Sequence, residues 1–245
     1  MKDLYNRTVR EIALQYPIST RIFEEFRIDY CCGGKKPFEA ACADAGVPVA
    51  TVEEHLKELL ANDSRRMPER FDRYTLSGLV DHILETHHAF TRDEISSLAP
   101  LMEKVAERHG TNHAALIELR ELVLTLFAEL QPHMEKEELV LFPYLKELDS
   151  VRTGGLRIPA PFGSVNGPIS VMEAEHDAAG EILREMRGVT DDYELPPDAC
   201  PSFTALFARL EALERDIHQH IHLENNILFP KAVQLESKIF RGVPG

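Results

Sequence analysis

Histidine and glutamate recur in a fixed pattern in two distant parts of this chain. His133 is followed four residues later by Glu137, and His220 is followed four residues later by Glu224. A Phe-Pro pair comes after each, so both segments read H-x-x-x-E-x-x-x-x-F-P. Residues four apart lie on one face of a helix, about one turn from each other. Each pair can therefore direct an imidazole and a carboxylate at the same point.

A further histidine precedes each pair at nearly the same distance. His88 lies 45 residues before His133, and His176 lies 44 residues before His220. The second half of the chain thus reads as two helix pairs built on one plan. Helical spacing alone does not choose between His87 and His88, because both lie on an apolar stripe. The match of the two offsets favours His88.

These side chains lie among apolar residues at helical spacing, on the stripe that faces a core. A buried carboxylate without a partner is costly. A Glu–His hydrogen bond or a protonated carboxylate would relieve one such motif, but two matched motifs favour metal. Four imidazoles and two carboxylates exceed the ligand set of one zinc, and calcium and magnesium prefer oxygen alone. The mixed set suits two ions of iron or manganese that share both carboxylates.

Helices must position these ligands. Few runs alternate with period two, and most of the chain shows spacings of three and four, which predicts an all-α fold. Four longer helical patterns cover residues 75–108, 112–148, 169–188 and 202–238. Four helices joined by loops predict an antiparallel four-helix bundle. A cluster of His218, His222 and Glu214 lies on the face opposite the ligands of the last helix, and we expect that face to be solvated.

A small helical domain is predicted before the bundle. We place it at residues 1–62, with a polar linker at 61–68 and the bundle domain at 71–245. It carries Cys31 and Cys32 before a Gly-Gly turn. These thiols could bind iron, react with NO or a persulfide, or form a mixed disulfide, and a structural turn is the alternative. The lysines that follow favour thiolate.

Histidines and cysteines outside these motifs receive ordinary interpretations. We expect His109 to interact with the dipole at a helix end and His113 to lie on the surface. Cys42 and Cys200 are expected to be structural.

Composition excludes several classes of partner. The chain of 245 residues carries 41 acidic and 27 basic side chains, a formal net charge of −14. Such a chain is a poor binder of nucleic acid or anionic lipid. It lacks an apolar stretch of the ~18 residues that cross a membrane. The first residues contain no continuous apolar run, so we expect a cytoplasmic protein with reduced thiols.

Longer motifs point to a family. They are Asp29-Tyr30-Cys31-Cys32-Gly33-Gly34-Lys35, the stretch from Gly167 to Asp177 (GPISVMEAEHD), and His220-x-x-x-Glu224-Asn225-Asn226-x-Leu228-Phe229-Pro230. With the His133 motif, they resemble the iron–sulfur cluster repair di-iron proteins (repair of iron centres). In that family a hemerythrin-like bundle follows a small Cys-Cys-Gly-Gly domain. The resemblance extends over nearly the whole chain.

The resemblance implies two non-haem iron ions bridged by both glutamates and by oxo or hydroxo. It implies the ligands His88, His133, Glu137, His176, His220 and Glu224. It supports His88, because the family's first ligand ends a run of the form D-H-I-x-x-x-x-H, here Asp81 to His88. Oxygen-carrying hemerythrins have H-x-x-x-H in the third helix, whereas His176 is flanked by Met172 and Gly180.

The function implied is repair of iron–sulfur clusters damaged by oxidative or nitrosative stress, by donation of iron. Its partners would be the damaged iron–sulfur proteins, with NO or O2 as ligands, and a homodimer is compatible with the family. The alternative is a di-iron enzyme or sensor that binds or reduces NO or responds to O2. The sequence does not settle whether the protein turns over as an enzyme, although the resemblance favours a repair protein.

Overall fold

The computed structural model describes Leu4 and residues 7–62, 70–152 and 162–241. Most of the predicted linker at 61–68 lies outside these residues. Within them the chain is helical, and extended pairing is limited to an isolated bridge between Thr8 and Pro37. The predicted all-α fold is therefore confirmed.

The N-terminal part consists of short helices around its own apolar core. Its segments are α1 (Val9–Gln15), a 3-10 turn (Pro17–Ser19), α2 (Thr20–Glu25), α3 (Phe38–Asp44) and α4 (Val49–Asn62). Thr8 caps α1 in a capping box with Glu11, so its first turn has satisfied amides. Val9, Phe23 and Phe38 are buried in this core.

Four long helices form the bundle, and π-helical turns interrupt three of them. The segments are a 3-10 turn (Phe71–Arg73), α5 (Leu76–His82), π1 (Ile83–His88), α6 (Ala89–His109), α7 (Ala115–Lys136), π2 (Glu137–Leu141), α8 (Phe142–Arg152), α9 (Asn166–Val189), α10 (Pro201–Leu223), π3 (Glu224–Leu228) and α11 (Phe229–Arg241). The helix α6 packs against α7 and α10, and α9 packs against the same two. The four helical patterns predicted from the sequence thus form one closed bundle.

The two glutamates of the repeated motif begin equivalent π turns. The amide of Phe142 bonds to the carbonyl of Glu137, five residues back, and Phe229 bonds to Glu224 in the same way. A proline follows each phenylalanine and cannot donate the hydrogen bond that a regular helix requires. In both helices the wider π turn accommodates the proline that follows it. Such turns are frequent at functional sites, and helical spacing in the sequence does not predict them.

Two apolar clusters fill the bundle, one on each side of a polar layer. One cluster extends from Ile95 on α6 to Ile221 on α10, and the other joins α5, α8 and α11. No helix in the described ranges is long and apolar enough to span a membrane.

Candidate metal centre

The six predicted ligands meet in the polar layer between the two apolar clusters. Each bundle helix crosses from one cluster to the other at its ligand. On α9, for example, Met172 belongs to one cluster, Ala179 belongs to the other, and His176 lies between them. All six side chains are buried. The amphipathic pattern of each helix therefore sets the depth of its ligand in the bundle.

The ligand atoms form two groups that share both carboxylates. One group contains His88 and His220, and the other contains His133 and His176; Glu137 and Glu224 belong to both. Within each group the ligand atoms all lie within 4.8 Å of one another. Two histidines in each group and two glutamates in both are the arrangement that the sequence predicts for two ions.

Each carboxylate contacts one histidine from each group. Glu137 Oε2 lies 3.3 Å from His88 Nε2 and 3.4 Å from His133 Nε2. Glu224 lies 3.1 Å from His176 Nε2 and 3.2 Å from His220 Nε2. Both glutamates are therefore placed between the two groups, where a carboxylate can bridge two ions.

Several buried atoms of this layer lack hydrogen-bond partners within the part of the chain that the structure describes. They are His88 Nε2, His220 Nε2 and both side-chain oxygens of Glu137 and Glu224. A buried polar atom without a partner costs roughly 1–3 kcal/mol. These six atoms all carry lone pairs and converge in one layer. Such a set of atoms fits a pair of cations, which accept lone pairs.

The pKa values of the layer's side chains also reflect their burial without enough partners. Burial, together with the charge of Glu224, raises the pKa of Glu137 well above its usual range. Burial opposes ionisation of Glu224 too, but the neighbouring His220 and His176 hold its pKa well below the usual range. Burial and the charge of His220 lower the pKa of His88 to about 4. Neutral imidazoles with available Nε2 lone pairs are the form that binds metal.

Hydrogen bonds to Nδ1 orient three of these histidines. Glu138 accepts from His88 at 2.6 Å, and Glu175 pairs with His133 at 2.9 Å. Asn225 Oδ1 lies 2.9 Å from His176 Nδ1. Such partners fix the tautomer that directs Nε2 to a metal. The histidine that each of these residues orients lies on another helix, so spacing along one helix could not identify Glu138 or Asn225.

His87, the alternative first ligand, is buried but lies outside both groups. Its Nδ1 is 2.9 Å from Asp216, and its ring stacks on that of His220 with centroids 5.6 Å apart. The π1 turn ends at His88 and directs that residue, rather than its neighbour, to the centre.

A cleft of about 340 Å³ reaches the layer from the surface between α7, α9 and α10. His133, His176 and His220 line it. Lys136 lies at the same cleft and pairs with Glu175. A small molecule or an ion can therefore approach the centre without unfolding the bundle.

The Cys-Cys-Gly-Gly loop lies directly on the bundle beside this centre. The Cys31 and Cys32 sulfurs are 3.8 Å apart, and Cys32 Sγ is 3.7 Å from the carbonyl oxygen of His176. A Cβ on Gly34 would come within 2.6 Å of the Tyr30 carbonyl, so the turn requires glycine there. The structure thus brings the thiols to the back of a ligand-bearing helix.

The expectation that lysines favour thiolate is wrong for Cys31. The hydrogen bond that the Cys31 thiol donates to the Cys32 sulfur, together with burial, raises the pKa of the Cys31 thiol well above its usual range. Lys36 pairs with Asp44 instead, and Lys35 approaches Glu173. The lysines are engaged elsewhere, so they do not supply the positive charge that a thiolate needs.

The expected solvated face of the last helix is covered by the N-terminal part. His218 Nδ1 lies 2.9 Å from Glu24 Oε1, and His222 contacts the Tyr30 carbonyl. His222 and Glu214 are buried. The sequence prediction was wrong here because a polar face can be covered by another polar surface that satisfies its hydrogen bonds.

The chain is similar to known proteins over nearly its whole length. A sequence profile of the hemerythrin HHE cation binding domain matches residues 79–232, and a domain of unknown function (DUF542) matches residues 5–60. An iron-sulfur cluster repair protein YtfE of Escherichia coli O157:H7 is 35% identical over 91% of this chain and 94% of its own. The chain belongs to the iron-sulfur cluster repair family of hemerythrin-like proteins.

Other relatives in this family show similar agreement. The YtfE of Musicola paradisiaca is 33% identical over 94% of this chain and 98% of its own. A probable iron-sulfur cluster repair protein of Haemophilus influenzae is 32% identical over 91% and 95%. The hemerythrin-like match contains all six residues of the polar layer. The resemblance given by the sequence motifs is thereby confirmed.

Proposed function

We propose that the polar layer holds two iron ions, with Glu137 and Glu224 as bridging ligands. His88 and His220 would complete one ion's protein ligands, and His133 and His176 the other's. The observation that carries this proposal is the set of unpartnered buried atoms around two carboxylates shared by two histidine pairs. The cation binding domain match supports a metal at this position.

Metal content tests the ligand assignment. Protein loaded anaerobically with Fe²⁺ should retain about two irons per chain, since two groups of nitrogen and oxygen ligands are present. Glu137→Leu should retain fewer than one, whereas Glu135→Leu, an exposed change two residues away, should retain the full content. Equal iron in Glu137→Leu and the unmodified protein would refute the assignment.

We propose that the protein repairs iron–sulfur clusters by donating this iron. Bound iron would supply ferrous ions for rebuilding a damaged cluster. Each ion would have four protein ligands, its two histidines and the two shared glutamates, so coordination positions stay open. The cleft beside His133 offers a route to them. The names of the relatives support this function for the chain.

The thiols of Cys31 and Cys32 have a proposed part in donation, either docking the client protein or receiving iron. Cys32 is half-buried at the wall of a second cleft of about 750 Å³ between the N-terminal part and α9. Its contact with the His176 carbonyl connects this wall to the metal centre.

An N-terminal domain at 1–62 and a bundle domain at 71–245 remain our proposed division of these tasks.

Reconstitution tests donation. Iron-loaded protein should restore activity to an iron–sulfur enzyme damaged by NO under anaerobic conditions, and Glu137→Leu should not. A Cys31→Ala/Cys32→Ala variant should keep its iron and restore activity more slowly. If iron-loaded protein restores no more activity than an equal amount of free Fe²⁺, the donation proposal fails. If the double variant is as fast as the unmodified protein, the thiols have no part in it.

The cleft also supports a second function, an enzyme or sensor of NO or O2. A small diatomic ligand needs only the access that the cleft at His133 and His176 provides. Steady NO consumption with a reductant, forming nitrous oxide, would favour the enzyme over the donor.

We also propose a cytoplasmic location, where the four free thiols stay reduced.

A further inference from the structure

A second group of metal-ligating side chains lies at the far end of the bundle. His109 is at the end of α6 and His113 is in the following turn, while Asp198 and Cys200 immediately precede α10. His109 is 21 residues beyond His88 on one helix. At 1.5 Å per residue this separates the group from the polar layer by about 30 Å. It is therefore independent of the proposed iron centre.

The side chains converge from three segments. His109, His113 and Asp198 each offer a ligand atom within 4.8 Å of the others. His113 Nε2 lies 3.0 and 3.2 Å from the two oxygens of Asp198. Cys200 Sγ lies 3.2 Å from His109 Nε2. Tetrahedral zinc with bonds of about 2.0–2.3 Å separates adjacent ligand atoms by roughly 3.3–3.8 Å. The three-residue group and the His109–Cys200 pair are near that spacing, and a cation would draw Cys200 towards His113 and Asp198.

The local backbone holds these ligands in place. The His113 amide bonds to the His109 carbonyl, which keeps both imidazoles one turn apart. A Cβ on Gly110 would come within 2.5 Å of the Ala106 carbonyl, so this turn needs glycine. The buried ring of Phe203 lies 5.4 Å from His109 and 5.8 Å from His113 and forms an apolar floor.

The sulfur is prepared for a cation. Cys200 is the N-cap residue of α10. Its Sγ lies 3.2 Å from His109 Nε2, at the end of the helix where backbone amides favour a thiolate. A thiolate at a helix N-terminus is the form that ligates metal. The histidine expected at the helix dipole, the one expected on the surface and the cysteine expected to be structural therefore lie together in one cluster.

We propose that His109, His113, Asp198 and Cys200 form a separate site for a zinc-class divalent cation. Two imidazoles, a carboxylate and a thiolate are all zinc ligands and supply the four that a tetrahedral site requires, and they suit a borderline cation better than calcium or magnesium. The cation would join the turn after α6 to the segment before α10. Its role is to fasten the distal end of the bundle.

Cobalt titration of the iron-loaded, full-length protein tests this site. Tetrahedral Co²⁺ bound by a thiolate gives an intense sulfur-to-metal band in the near ultraviolet, and the iron centre offers only nitrogen and oxygen ligands. We expect one equivalent of Co²⁺ to produce the band and Zn²⁺ to displace it. Cys200→Ser should abolish the band, and the helix should stay intact because serine is a favoured N-cap.

Two further variants make the result specific. His113→Ala should weaken cobalt binding at least about tenfold, since loss of an outer-sphere partner alone costs that much at metal sites. Cys31→Ser/Cys32→Ser, the matched control at the other thiol pair, should keep the band. The proposal is overturned if the unmodified protein gives no band, or if the band survives Cys200→Ser. Loss of the band in the Cys31→Ser/Cys32→Ser control would place the cation at the N-terminal thiols instead.

Discussion

At the scale of residues, the centre depends on side chains that never face the metal. Glu138 is the clearest example, because it accepts from His88 at 2.6 Å and pairs with Arg92 at 2.7 Å. Hydrogen bonds from His88 and Arg92 outweigh partial burial and lower the pKa of Glu138, so it is a charged acceptor. A charged acceptor makes the imidazole a stronger ligand and fixes its tautomer.

Replacing Glu138 by alanine should therefore weaken iron binding about tenfold while leaving the fold intact. Competition with a ferrous chelator measures this affinity. Glu138→Gln should restore part of it, because its amide oxygen still accepts from His88. Glu135→Ala is the control on the exposed side of the same helix. Equal affinities for Glu138→Ala and Glu135→Ala would contradict an orienting role.

The meeting of the six proposed ligands could be predicted from the sequence, and the partners of their Nδ1 atoms mostly could not. His133 and Glu137 belong to one helix, whose periodicity is visible in the chain. The pairing of Glu138 with His88 depends instead on how two helices rotate against each other. The sequence also has no direct signal for the cluster at Cys200, because its members come together only through the loops at the bundle end.

At the scale of elements, the π3 turn connects the centre to the N-terminal part. Pro230 follows this turn and has no amide hydrogen for the Asn226 carbonyl, its partner in a regular helix. The Arg10 guanidinium donates to that carbonyl at 2.8 Å. The Asn226 side chain donates in turn to the carbonyls of Tyr30 and Cys31. The helical irregularity that begins at Glu224 is thus the docking point of the thiol loop.

Removing the Arg10 side chain should loosen this dock. Arg10→Ala leaves the Asn226 carbonyl unpaired at a partly buried position and should cost about 1–2 kcal/mol in the free energy of unfolding. Urea unfolding measures the loss, and labelling of Cys32 by a thiol reagent should become faster. Arg21→Ala, at an exposed position of α2, is the control. Unchanged labelling in Arg10→Ala would show that other contacts hold the loop.

At the scale of the whole molecule, the N-terminal part and the bundle meet at His222 and His218, whose pKa values shift in opposite directions. Burial lowers the pKa of His222 to about 4. His218 pairs with Glu24, and this pairing raises the pKa of His218 despite its burial. Burial also lowers the pKa of three histidines of the polar layer, His88, His133 and His220. Acid should therefore act on the contact between the N-terminal part and the bundle as well as on the centre.

His222 should make stability fall on acidification. Its pKa is about 6.5 in the unfolded chain and about 4 in the folded one, so the unfolded chain binds more protons between these values. The stability it contributes is complete above pH 6.5 and is lost as the pH falls to 4, up to about 3 kcal/mol. Urea unfolding of the metal-free protein at several pH values measures this loss.

The matched variant for this prediction is His222→Gln, which keeps a hydrogen-bond acceptor but cannot titrate. The ligand histidines and His218 titrate alike in both proteins, so their contributions cancel in the difference between the two profiles. That difference should narrow as the pH falls from 6.5 to 4, because only the unmodified protein must protonate His222. Parallel profiles over this window would refute the assignment.

A centre with ligands on every bundle helix should link metal binding to the stability of the whole bundle. Iron binds the folded chain and not the unfolded one, so loading should raise the free energy of unfolding. Without metal, the same layer opposes folding, because Glu137 is fully buried with both oxygens unpartnered among the described residues. Replacing a buried polar group by an apolar one of similar shape removes that penalty.

Glu137→Leu should therefore bind little iron and yet, as metal-free protein, unfold at higher urea than metal-free unmodified protein, by about 1–3 kcal/mol. Iron-loaded unmodified protein should be more stable than its own metal-free form. Glu135→Leu, on the exposed side of the same helix, should change neither value by more than about 0.5 kcal/mol. If metal-free Glu137→Leu is instead the less stable protein, Glu137 is stabilised by its neighbours without metal. The polar layer would then be a structural network that stabilises the metal-free protein. A metal-binding layer, in contrast, destabilises the folded protein when the metal is absent.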